Sequence, residues 1–167
     1  MNRVLVGLSA LLLSITGVPS RAIPPPPPDD VRVVKVLDAT TIVVTPYGDP
    51  FTVRLACIHT PSLHQGSAGR AANAALESLL QPGTWVTLSN RSKAADRVDL
   101  AEIIPVGSTV PINLSLVQAG MAAMDRKASS PCNLAAYREA EMNAKSKKLG
   151  IWGAAFGTRL IPTMPLN

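Results

Sequence analysis

The sequence predicts a mixed β/α domain, a five-stranded Greek-key barrel with three added helices. Three observations predict it. From Arg32 the apolar residues recur with period two through three β-branched segments, between Ser67 and Leu80 the period becomes helical, and two further strand segments precede two more helical ones. Three strands, a helix, two strands and then helices is the order in which such a barrel is threaded.

The first strand covers Val33 to Leu37, the second Thr41 to Thr45 and the third Phe51 to Ile58. Turn residues at Asp38-Ala39 and Tyr47-Gly48-Asp49 separate them, so they are expected to pair antiparallel as a meander. In the helix that follows, Ala71, Ala74, Ala75, Leu76, Leu79 and Leu80 share one side, and Pro82-Gly83 stops it. Trp85 to Ser89 and Leu100 to Val106 read as the fourth and fifth strands. Asn113 stands where it would cap a short helix containing Leu114, Leu116 and Val117, which Gly120 ends. The last helix runs from about Leu134 to Leu149, with Tyr137, Ala140, Ala144 and Lys148 along one flank and Gly150 at its C-terminal cap.

Outside these elements the chain changes character. Residues 1–22 read as a secretory signal: Arg3 is the positive start, Val4 to Ile15 the apolar run, and Ser20-Arg21-Ala22 a small-residue cleavage site. An uncleaved anchoring helix is the alternative, although the run is short for a bilayer span. Residues 23–31 hold five consecutive prolines, Pro24 to Pro28, which fix φ and lack amide donors, so an extended spacer is expected, with a ligand for a proline-reading module as the alternative. The folded domain is expected over 32–153, with a tail at 154–167. The expected location is outside the cell or in its envelope, with no transmembrane span left in the mature chain.

Of 167 residues, 47% are apolar and 16% charged, which excludes disorder over most of the length. Only 4% are aromatic, so surfaces for base stacking are scarce. The net charge is +5, and two of those charges, Arg3 and Arg21, lie in the leader. The remainder permits nucleic acid or another anion as partner but lacks the polybasic signature of a dedicated nucleic-acid binder.

Isolated features read structurally. His59 and His64 with Cys57 nearby have no second pair of ligands, which argues against zinc. Lys145, Lys147 and Lys148 suit the C-terminal end of a helix dipole, with a phosphate-binding surface as the sharper alternative. The glycosylation patterns at Asn90 and Asn113 read as chance.

Six segments, in order, resemble the thermonuclease (staphylococcal nuclease-like) family: Val36 to Thr41, Val53 to Leu55, Ile58 to Ser62, Asp96 to Val98, Asn113 to Ala122 and Leu149 to Gly153. The resemblance implies an OB-fold barrel and calcium-dependent hydrolysis of DNA and RNA phosphodiesters. In that chemistry two aspartates and a threonine carbonyl hold the ion, a glutamate assists water, and two arginines hold the phosphate.

The chain departs from the family at most of these positions. The family's Asp-Gly-Asp-Thr reads Asp38-Ala39-Thr40-Thr41, so Thr40 replaces one metal-binding aspartate. His59 stands for the second carboxylate and Ser62 for the glutamate, while Thr60 and Arg54 match. The Asp-Arg-Tyr-Gly-Arg segment is shortened to Asp96-Arg97-Val98-Asp99, which deletes the second arginine or moves Arg97 elsewhere. The loop Met124 to Ala128 carries none of the family's aromatics. Loss of a base or of a charge stabiliser costs about 10²- to 10⁴-fold in rate.

The resulting expectation is a secreted nuclease-like domain that has lost its calcium and its catalysis and acts as a binding or envelope-associated module, with Asp38, Thr40, Arg54, His59, Thr60, Ser62 and Arg97 as a vestigial site. No metal or other cofactor is expected. The alternative is an active metal-dependent phosphodiesterase with a rebuilt site, drawing carboxylates from Asp38, Asp96, Asp99 or Glu102 and a base or soft-metal ligand from His59. The implied fold also sets the end of the third strand beside the start of the last helix, so Cys57 and Cys132 are expected to form a disulfide; two buried thiols are the alternative.

Overall fold

The computed structural model describes residues 30–128 and 131–153; the leader, most of the spacer and the tail lie outside the described residues. Strands β1 (Asp30–Asp38), β2 (Thr41–Thr45) and β3 (Phe51–Leu55) form the expected antiparallel meander. Helix α1 (Gly66–Leu79) follows a two-residue strand β4 (Ile58–His59), and β5 (Trp85–Lys93) and β6 (Asp99–Pro105) pair antiparallel. The barrel closes in the order β1-β2-β3-β6-β5, with β3 and β6 parallel. After it come α2 (Ile112–Gln118), β7 (Ala123–Met124), α3 (Leu134–Ser146) and a 3₁₀ turn at Gly150–Trp152.

Alternation fills the barrel. Ile42, Val44, Val53, Val86 and Ile103 are fully buried from four strands, and Leu76, Leu80, Leu116 and Val117 join them in one core. Each such side chain contributes about 1.5–3 kcal/mol by leaving water. Register shifts between Val33 and Lys35, between Val36 and Asp38, and between Ser89 and Ser92 bend the strands enough for closure.

Three expectations need correction. The third strand stops at Leu55 rather than Ile58, because Cys57 turns into the left-handed region with φ 66°. Its neighbours replace the ladder: Ala56 N–H donates to Ala101 O, and Cys57 O accepts from Asp125 N–H at 2.9 Å. Ile58 and His59 then pair with Met124 and Ala123 in a separate ribbon.

Asn113 does not cap α2. Pro111 occupies the cap in an extended conformation, and Asn113 is fully buried within the first turn. Its Oδ1 accepts from Ile103 N–H at 2.9 Å and its Nδ2 donates to Ala56 O and Ala101 O at 2.9 and 3.0 Å.

The last helix ends at Ser146, not Leu149, and Gly150 is not its cap. Gly120 and Gly150 instead form a backbone crossing. A Cβ on Gly150 would lie 2.2 Å from Gly120 O, and one on Gly120 would lie 2.4 Å from Leu149 O. Both glycines have positive φ, and Ile151 N–H donates to Gly120 O at 2.8 Å. Lys145 lies 4.3 Å over the Trp152 ring and also pairs with Glu141, which makes the basic end of α3 partly structural.

Candidate functional site

The β1–β2 turn, the end of β3, β4 and the loop after β7 meet around an open recess of about 350 Å³. Its polar lining comes from Thr40, Arg54, His59, Thr60, Asp125 and Lys127, over apolar walls that include Leu55, Ala56, Ile58 and Leu100. Ser62 and Asp38 line an adjoining hollow with Thr40, Thr60 and His64. Six of the seven sequence-derived site residues therefore gather in two adjoining hollows. Arg97 does not: it sits exposed on the β5–β6 turn with φ 66°, and it lines neither hollow.

Each carboxylate near the recess already has a partner. Asp38 Oδ1 accepts from Thr40 N–H at 2.8 Å and from Thr40 Oγ1 at 2.9 Å, so the Thr40 hydroxyl proton is committed within the β1–β2 turn. Asp96 Oδ2 accepts from Arg54 at 2.9 Å. That hydrogen bond, with another from Val98 N–H, holds the Asp96 carboxyl below its ordinary pKa. Asp125 Oδ1 lies 3.3 Å from His59 Nε2 and accepts from Lys127 N–H at 2.8 Å.

The other acids named for a rebuilt site lie elsewhere. Asp99 pairs with Lys93 at 2.8 Å and Arg91 at 3.7 Å. Glu102 is buried and accepts from the Tyr137 hydroxyl and from Asn90 Nδ2.

Cys57, on the wall of the recess, is bonded to Cys132 across 75 residues of sequence, with the Cα atoms 6.5 Å apart. The expected pairing is present, and it removes Cys57 as a metal ligand. Asp125 and Lys127 are the recess residues that sequence reasoning missed. The pointer was Cys132: a bond to Cys57 obliges the chain just before it to pass over the end of β3.

Calcium is the ion that the family resemblance implies. The ion takes six to eight oxygens, including several carboxylates. Here Asp38 is occupied by Thr40, His59 presents nitrogen, and no three His, Cys, Asp or Glu residues cluster as a metal-binding group among the described residues.

A family model for staphylococcal nuclease homologues matches residues 52–154, from within β3 to just past the 3₁₀ turn. The chain belongs to that family. Among curated proteins none matches it. The match begins inside β3, so Arg54, His59, Thr60, Ser62 and Arg97 of this nuclease-family domain fall within it, while Asp38 and Thr40 precede it. Among the described residues no helix is long and apolar enough to cross a membrane.

Proposed function

We propose that this staphylococcal nuclease-family domain does not hydrolyse phosphodiesters and works, after export, as a binding or envelope-associated module centred on the Arg54 recess. The observation that carries the reading is the pairing of Thr40 with Asp38. A hydroxyl that donates to the remaining aspartate leaves one carboxylate oxygen uncommitted where hard-cation chemistry needs a cage. His59 in place of the other carboxylate and Ser62 in place of the base point the same way, since an imidazole and a hydroxyl then stand where the family's chemistry uses a metal-binding carboxylate and a carboxylate base.

Export is supported by residues 1–22 and by the Cys57–Cys132 bond, which persists in oxidising compartments. Sequencing the N-terminus of the mature protein tests cleavage after Ala22; a retained leader contradicts it. Calorimetric titration with calcium tests the site: no saturable heat is expected, and a tight site lost in Asp38→Ala would contradict the reading.

A second reading, an active phosphodiesterase with a rebuilt site, draws on the His59–Asp125 contact. A carboxylate behind an imidazole in the same recess as a guanidinium is an arrangement used for proton transfer. Hydrolysis of labelled DNA or RNA with manganese or zinc, abolished in His59→Gln, would favour it.

A further inference from the structure

We infer that Asp96 is a built-in occupant of the anion seat on Arg54, so that a tetrahedral oxyanion and the β5–β6 turn compete for one guanidinium. The inference rests on the binding reading above and names the ligand chemistry of that recess and what limits its access. It begins with a charge inventory. Two permanent cations, Arg54 and Lys127, line the recess. Two carboxylates oppose them: Asp125, held by Lys127 N–H and beside His59, and Asp96, which lies outside the recess lining but pairs with Arg54 from the β5–β6 turn. Asp38 lies in the adjoining hollow, bonded to Thr40. With Asp96 in place, the two fixed positive charges are matched by two negative ones, and an anion gains little by entering. With Asp96 withdrawn, the recess carries an excess positive charge and an uncovered guanidinium fork.

The donors then available suit one oxyanion. Arg54 offers its fork, Lys127 has no ion-pair partner among the described residues, and Thr60 supplies a hydroxyl, whereas the Thr40 hydroxyl already donates to Asp38. The turn that delivers Asp96 is local and can move without unfolding the barrel. It is held by Ala94 N–H to Val98 O at 2.9 Å and Arg97 N–H to Ala94 O at 2.9 Å. Its side chain is 53% exposed and that of Arg54 38%, so their contact is a surface ion pair, strong enough to compete with a weak ligand and weak enough to be displaced.

The test titrates the purified chain and its Asp96→Asn and Arg54→Gln variants with inorganic phosphate in the absence of divalent metal, followed by amide chemical shifts. A nucleoside monophosphate forms a parallel arm that distinguishes free phosphate from a nucleotide's terminal phosphate. Asp96→Asn is expected to bind about two- to fivefold more tightly than the unmodified chain, and Arg54→Gln to lose saturable binding. In the unmodified chain, shifts at residues 94–98 should track occupancy. Equal affinity in the unmodified chain and Asp96→Asn, undiminished binding in Arg54→Gln, or no saturable binding in any of the three proteins would overturn the inference. None of those outcomes bears on hydrolysis, which a cleavage assay on the same samples decides separately.

Discussion

The hydroxyl of Tyr137 on α3 lies 2.5 Å from Glu102 Oε1 on β6, a buried contact that ties the last helix to the barrel wall. Asn90, at the bulge in β5, donates to the other carboxylate oxygen. Burial and the neighbouring carboxylate raise the Tyr137 pKa well above the ordinary phenol value.

Tyr137→Phe is expected to cost about 1–3 kcal/mol, because it leaves one oxygen of a buried carboxylate without its donor. The linkage has a definite sign. A phenol whose folded pKa is raised gives stability that is complete below the unfolded value near 10 and falls as pH rises above it, since the unfolded chain loses its proton first. Denaturant melts should show this alkaline loss in the unmodified protein and less of it in Tyr137→Phe. By ultraviolet titration, the Tyr137 phenol should ionise above the ordinary phenol range.

Asn113→Ala is expected to destabilise by about 2–4 kcal/mol. It strips one donor from each of Ala56 O and Ala101 O and the acceptor from Ile103 N–H, deep between α2 and the barrel. Asn113→Asp should be no better, because a carboxylate cannot donate to the two carbonyls. Equilibrium denaturation of both variants checks this.

Reduction of the disulfide is expected to remove roughly 4 kcal/mol, the chain-entropy value for a loop of this length, less any relief of native strain. Cys57→Ala/Cys132→Ala should melt lower than the unmodified chain and show no further change with reductant. A non-reducing peptide map with two freely alkylated thiols would contradict the pairing.

Arg54→Gln is expected to return the Asp96 pKa toward the ordinary aspartate range. Because the folded value is depressed, the pair stabilises the fold above that range, and its contribution is lost as pH falls through the folded value. Carboxyl chemical shifts followed by NMR across the acid range report both proteins.

The barrel was legible because β-branched alternation in β1, β2 and β3 agrees with the fold it enters; the expected face of α1 was only partly right, since Ala74 and Leu79 are exposed while Ala68 and Ala72 turn inward with Leu76. What periodicity missed was settled by single long-range contacts. Ile58 alternates correctly for a longer β3, but the φ of 66° at Cys57 diverts the chain to Met124 and Ala123, and nothing local in the sequence marks that turn. Asn113 has a capping residue's chemistry in a capping residue's place, yet its amide is used across the barrel, because Ala56 and Ala101 leave buried backbone groups to satisfy. Of the candidate site, Thr40, His59 and Ser62 could be named from the sequence as departures from the family resemblance, since chemistry attaches to residue type. The partners of Arg54 and His59 could not, because Asp96 and Asp125 reach them from loops 42 and 66 residues farther along the chain.

The purified mature chain, incubated with labelled single- and double-stranded DNA and with RNA in calcium, is expected to leave all three intact. The combined Thr40→Asp, His59→Asp and Ser62→Glu variant should recover little, because Arg97 stays outside the recess and the phosphate is held by one arginine alone. Robust calcium-dependent cleavage by the unmodified chain, lost in Arg54→Gln, would contradict the account.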